Sequence, residues 1–204
     1  MRKIIDEYFE TLGALPARLE STDRVGRSLP IEKVFEQVIA LARQAHDGGY
    51  KLMFIGNGGS STIASHMAED FSKAANIRAI AFNDPAFLTC LGNDLGFDQI
   101  FSKQIELFAK AGDVLVAISS SGNSQNILNG VLAAREKGCT VVTLSGFGPD
   151  NSLRGQGDYN LYVPNSEYGF VEITHSAICH AILDIAMGWR GSEQEAPGPR
   201  AVSA

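Results

Sequence analysis

A run of hydroxyls and glycine, Ser119-Ser120-Ser121-Gly122-Asn123-Ser124, stands directly after an apolar stretch and directly before a helical one. Free backbone N–H groups and four hydroxyls converge there on a helix N-terminus, whose dipole favours an anion. The turn holds no Lys or Arg, so binding would rest on neutral donors. That chemistry suits a sugar phosphate, whereas a triphosphate loop would need GxxxxGK[ST]. N-capping by Ser124 would account for one serine, not four.

A second turn, Gly56-Asn57-Gly58-Gly59-Ser60-Ser61, also follows an apolar run. Its glycines let backbone approach a ligand closely. The GxGxxG spacing is absent, and the nearest acid beyond a second strand lies about 25 residues on rather than about 20, which disfavours a dinucleotide. The plainer alternative is a tight strand-to-helix turn with no ligand.

The acids and histidines that could move protons fall on two helices. His66 and Asp70 are at i and i+4 and share a face. Glu172 and His180 are at i and i+8, about 80° apart around the final helix, with His175 on the same broad sector. Two readings stay open. Two His and two carboxylates could hold a divalent ion such as Zn²⁺. Alternatively, Asp70 or Glu172 is a base and His180 an acid, without metal. Spacing does not choose, because a lone His on an apolar helix face is more often a core residue. Glu69 reads as a surface acid and His46 as solvated at a polar helix end. A phosphate turn paired with an acid–base group is what aldose–ketose isomerisation needs: a grip on the far end of the sugar, a base and an acid at C1 and C2, and stabilisation of an enediolate.

These residues need a scaffold, and the sequence supplies an α/β alternation. Ile4, Ile5, Tyr8, Phe9, Leu12, Leu15 and Leu19 make one helical face over 3–20, with Pro16 kinking or ending it. Ile31, Val34, Phe35, Val38, Ile39 and Ala42 repeat the pattern up to Gly48. Two helices are therefore expected before the first strand, and the first is expected to pack on another subunit. Five apolar strands follow, at 51–55, 78–82, 113–119, 140–144 and 159–163, with helices to about Ala75, from about Ser124 to Lys137, and from about Tyr168 to Met187. Continuous apolar strands alternating with helices predict a doubly wound parallel sheet covered on both faces. One domain is expected over 1–190, with N-terminal helices over 1–48 and a core over 51–189. The Gly-, Pro- and Glu-rich segment 191–204 is expected to be disordered.

The 204 residues carry a net charge of −6, with 45% hydrophobic and 20% charged residues. This balance argues against broad nucleic-acid or membrane binding. No apolar run approaches the ~20 residues that span a bilayer, and the charged N-terminus does not read as a secretory signal. Cys90, Cys139 and Cys179 form no CxxC pair and read as free buried thiols in a reducing compartment. The expected location is the cytoplasm.

Three segments in order, Gly56-Asn-Gly-Gly-Ser60, Cys90-Leu-Gly-Asn-Asp-Leu-Gly-Phe97 and Ile118-Ser-Ser-Ser-Gly-Asn-Ser124, resemble the phosphoheptose isomerases, and the likeness runs from about residue 1 to 189. That family has a flavodoxin-like sugar-isomerase (SIS) fold and converts sedoheptulose 7-phosphate to glycero-manno-heptose 7-phosphate. The resemblance implies a homotetramer with shared active sites and N-terminal helices in the interface. It implies substrate contacts at Asn57, Gly58, Gly59, Asn93, Asp94, Ser119, Ser120, Ser121 and Ser124. The family's zinc ligands, His, Glu, Gln and His, fall on His66, Asp70, Glu172 and His180, and the catalytic candidates are Asp70, Glu172 and His180. Asp70 is one methylene shorter than the family's Glu, Glu172 adds a charge where the family has an amide, and Gly169 stands where the family usually has Asp. These departures raise the alternative that the base has moved to Glu172. They also leave open a non-catalytic tetramer that binds the bacterial replication initiator, or an isomerase of another sugar phosphate.

Overall fold

The computed structural model describes residues 1–191. The expected disorder over 191–204 lies, apart from Gly191, outside the described residues. The chain opens with helix α1 (Arg2–Ala14), then β1 (Glu20–Asp23) and α2 (Ile31–Asp47). Strand β2 (Leu52–Gly56) leads into α3 (Gly59–Lys73), and β3 (Ala79–Ala81) into α4 (Pro85–Asp94) and α5 (Ser102–Phe108). Strand β4 (Val114–Ser119) leads into α6 (Gln125–Glu136), followed by β5 (Thr140–Ser145), β6 (Tyr159–Tyr162) and α7 (Tyr168–Ala186).

The strands form one six-stranded sheet in the order β1-β6-β5-β4-β2-β3. Five are parallel; β1 pairs antiparallel with β6, Ser21 opposite Leu161. The expectation of five strands and of two helices preceding the first strand is corrected here: an edge strand falls between those helices. It is Glu-Ser-Thr-Asp, with only Ser21 buried. An edge strand needs one ladder and little apolar surface, so it leaves no hydrophobic run to read. Side chains from β6 hold it instead, with the Asn160 amide donating to the Thr22 and Asp23 carbonyls.

Pleating explains why the central strands are apolar throughout. Leu52 and Phe54 point to one face, with Met67 and Phe71 of α3, Val34 and Val38 of α2, and Ile178 and Ile182 of α7. Met53 and Ile55 point to the other, with Ile105 of α5 and Ile127 and Val131 of α6. Each strand thus buries both sets of alternating side chains under helices. Chain order reverses between β2 and β4: the chain goes outward from β2 to β3, then returns to lay β4 on the other side of β2. Ligands of open α/β sheets sit at the carboxyl ends of the strands at such a switch.

Candidate active site

The carboxyl ends of β2 and β4 each feed a helix, and their turns face one another across the switch point. Between them lies a cleft of about 240 Å³, lined by Asn57, Gly58, Gly59, Ser60, Ser119, Ser120, Ser121, Ser124, Tyr168 and Glu172. No Lys or Arg is among them, so an anion would be held by hydroxyls and by the N-termini of α3 and α6.

The hydroxyls are differently engaged. Ser119 Oγ accepts from the Gly122 N–H and Ser121 Oγ from the Asn123 N–H, which stiffens the turn. Ser124 occupies the N-cap position of α6, yet its side chain caps nothing. Ser120 is 5% exposed, and its Oγ has no protein partner. A buried hydroxyl without a partner is uncommon, because its desolvation is uncompensated. The turn closes on Gly122 at φ +65, where a Cβ would lie 1.9 Å from Asn151 Oδ1, so conformation and space both demand glycine. α3 likewise begins without a side-chain cap, behind Gly58 at φ +54.

The two turns are tied together by a reciprocal amide pair. Asn57 Nδ2 donates to Asn126 Oδ1 at 2.8 Å, and Asn126 Nδ2 donates to Asn57 Oδ1 at 2.9 Å. The Asn57 amide is therefore occupied, and what it offers a ligand is mainly backbone. Sequence reading passed over Asn126; its signal is a polar residue on the apolar side of α6, beside Ile127 and two turns from Ala133 and Ala134. Tyr168 was also missed. It begins α7 just after β6, a position that reaches the switch point only because of the strand order.

Glu172 enters the cleft one turn into α7. Its carboxylate packs over the N-terminus of α3, where a Cβ on Gly59 would meet Oε2 at 2.3 Å. A larger residue there would have to displace the Glu172 carboxylate, whose negative charge the helix dipole favours. The other acid–base candidates stand further along the same α3–α7 seam, His180 about 12 Å of helix beyond Glu172. Asp70 Oδ2 is 3.3 Å from His66 Nε2 and 3.8 Å from His180 Nδ1, and the two imidazoles meet edge to face at 5.1 Å. One donor atom from each of His66, Asp70 and His180 lies within 4.8 Å of the others.

Of the four residues considered as metal ligands, three are thus together, and Glu172 is turned toward Gly59. Two imidazoles and a carboxylate are a zinc-type donor set with an open position. The residues present fit a divalent ion.

Other candidates lie elsewhere. Asn93 and Asp94 are exposed at the end of α4, outside the cleft lining, with Asn93 Nδ2 donating to Asp94 Oδ1 at 2.8 Å. His175 is fully buried; its Nε2 lies 3.1 Å from the Ser145 carbonyl, and burial pushes its pKa down to about 4, so it is a neutral core residue. His46 is not simply solvated: it is half-buried, and its Nδ1 accepts the Arg78 N–H. Glu69 is exposed beside Lys73. All three cysteines are free, but Cys90 is exposed rather than buried. Burial raises the Cys139 thiol to about 11 and the Cys179 thiol to about 12.

A model of the SIS domain matches residues 8–146. A phosphoheptose isomerase of Geobacter sulfurreducens is 40% identical over 190 residues, covering 89% of this chain and 96% of that protein. Among solved structures, a phosphoheptose isomerase from Francisella tularensis superposes with a TM-score of 0.77 at 30% identity, covering 91% of this chain and 97% of that one. One from Neisseria gonorrhoeae gives 0.76 at 30% identity, covering 91% and 98%.

Proposed function

Because the chain belongs to the phosphoheptose isomerase family of SIS-domain proteins, we propose that it interconverts sedoheptulose 7-phosphate and D-glycero-manno-heptose 7-phosphate through an enediolate. The observation that carries this is the buried, unpartnered Ser120 hydroxyl in a cleft otherwise lined by neutral donors and two helix N-termini. It is one hydrogen bond short of satisfaction, and a phosphate oxygen supplies that bond. Ser124 and the N-terminus of α6 complete the grip, with Ser119 and Ser121 shaping the turn; Asn57, Gly58 and Gly59 face it across the cleft.

With the phosphate held there, the carbon chain lies toward α7. Glu172 is the carboxylate of the cleft lining and is assigned as the base that takes the C1 proton of the ketose and returns it to C2. The carbonyl moves from C2 to C1, so one proton must also pass from the C1 oxygen to the C2 oxygen; solvent in the open cleft is assigned that transfer, because His180 stands about 12 Å of helix beyond Glu172 and is grouped with His66 and Asp70. His66, Asp70 and His180 would hold a zinc ion, which would supply Lewis-acid stabilisation of the enediolate oxygens.

The same reading places residues 1–190 in one domain and the protein in a cytoplasmic homotetramer. It is supported by α1, which buries none of its residues and leaves Ile4 and Phe9 more than half exposed. It also gives a use to Asn93 and Asp94, which are exposed outside their own chain's cleft lining and would contact substrate in a neighbour's. No described helix is long and apolar enough to cross a membrane.

The test is to incubate the purified protein with sedoheptulose 7-phosphate, with and without Zn²⁺, and follow the product by proton NMR. An aldoheptose phosphate anomeric signal, lost in Glu172→Ala, is the expected result. No turnover under either condition, with the sugar phosphate still raising the melting temperature, would move the assignment to another sugar phosphate or to a binding role.

A further inference from the structure

The cleft has two unlike walls. One is the serine turn. The other is the ring of Tyr168, which lines the cleft beside Glu172 while remaining 61% exposed. An exposed aromatic at the start of a helix is ordinarily free to change rotamer. This one is backed by Phe147, whose ring meets it edge to face with centroids 4.8 Å apart at 76°.

Phe147 is itself held in an unfavourable way. Its φ is +57, a left-handed conformation that bulky side chains rarely adopt. The strain is over-determined by its neighbours. The Phe147 N–H donates to the Asn165 carbonyl at 2.9 Å, and its carbonyl accepts from the Tyr162 hydroxyl at 2.7 Å. Behind it, Gly146 lies so close to α7 that a Cβ would meet Val171 Cγ1 at 2.6 Å. Strain maintained by several cross-links beside a ligand cleft points to a positioned group, and the group positioned here is the Tyr168 ring. The anion grip does not need it, since Ser120, Ser124 and the N-terminus of α6 belong to the serine turn.

We propose that Tyr168, braced by Phe147, is the specificity-determining wall of the cleft, its ring face stacking on the C–H face of the sugar's carbon chain between the phosphate and the reacting carbons. Resting on the isomerase reading above, it makes chain length the quantity the site measures. A seven-carbon ketose phosphate anchored at the serine turn lays several C–H groups along the ring. A five-carbon one, anchored at the same point, covers less of it. The contact is an apolar one, so the ring carries it and the phenol hydroxyl does not.

The experiment compares wild type with Tyr168→Ala, Tyr168→Phe and Phe147→Ala, reading kcat and KM for sedoheptulose 7-phosphate and the Ki of ribulose 5-phosphate as a competitor. Tyr168→Ala is expected to raise KM about tenfold while kcat and the pentulose Ki change by no more than about twofold. Tyr168→Phe should restore KM, and Phe147→Ala should raise it in the same direction by less. Tyr168 is surface-exposed, so its replacement tests recognition rather than folding. An unchanged KM in Tyr168→Ala, no rescue by Tyr168→Phe, or equal losses for both sugars overturns the inference and leaves the isomerase reading standing. A wild-type protein that turns over no heptulose phosphate removes the isomerase reading and the inference with it.

Discussion

Replacing Asn126 by alanine removes both hydrogen bonds of the Asn57–Asn126 pair, which are 2.8 and 2.9 Å long. Asn126 is 3% exposed, so water does not readily take its place. At about 1 kcal/mol net for each bond, the loss comes to about 2 kcal/mol. For a chain of this size that lowers Tm by about 4–8 °C. Asn57→Ala breaks the same two bonds and should lose about as much. The double variant should then lose little more than either single one, which is a coupling of about 2 kcal/mol. Thermal unfolding of the four proteins at one fixed chain concentration measures it, because assembly would otherwise shift Tm by mass action. The functional consequence runs parallel: the pair ties together the turns that face each other across the cleft, so KM for the sugar phosphate should rise in both single variants. If the two losses simply add, within about 0.5 kcal/mol, the pair does not couple the turns and the account of the cleft's rigidity is wrong.

Further outcomes follow from individual side chains. Ser120→Ala should leave Tm unchanged or slightly raised, since no protein hydrogen bond is lost, while weakening phosphate-ester binding about tenfold, as calorimetry would read; a falling Tm with unaltered binding would contradict the phosphate assignment. Gly59→Ala should change stability by less than about 1 kcal/mol, because the clashing group is the flexible end of Glu172, yet sharply lower kcat by displacing that carboxylate. Full activity in Gly59→Ala would remove Glu172 as the base. His175 is charged in the unfolded chain below about 6.5 and in the folded one only below about 4. Its stabilising contribution is therefore complete above pH 6.5 and is lost as pH falls through that window, by roughly 3 kcal/mol in all. Urea titrations of wild type and His175→Gln at pH 7 and pH 4.5 should differ by that slope. Elemental analysis after dialysis against Zn²⁺ should find about one ion per chain, lost in His180→Ala and Asp70→Ala but kept in Glu172→Gln, with zinc-free wild type as the contrary result.

The parts of this protein that rest on local chemistry were legible in its sequence. The parallel strands announce themselves because burial on both faces makes every position of Leu52–Gly56 and Val114–Ser119 apolar or small. The two turns announce themselves because only glycine and hydroxyl residues can both bend sharply and present donors. The i, i+4 spacing of His66 and Asp70 already put them on one face. What the sequence leaves open is what depends on elements far apart in the chain. The edge strand β1 has no hydrophobic signature, since its place is secured by Asn160 on another strand. Which acid enters the cleft is likewise undecided by spacing. Glu172 and His180 lie on one side of α7, but eight residues of helix carry one to the N-terminus of α3 and the other to Asp70. Tyr168 and Asn126 gain their meaning only when strand order brings the end of β6 and the start of α6 to the same opening. Burial, not sequence, decides that His175 is a neutral core residue while His180, one helical turn and a half further on, faces a carboxylate. Local propensity is a property of neighbours in the chain; the cleft is a property of neighbours in space, and the crossover between β2 and β4 is what converts one into the other.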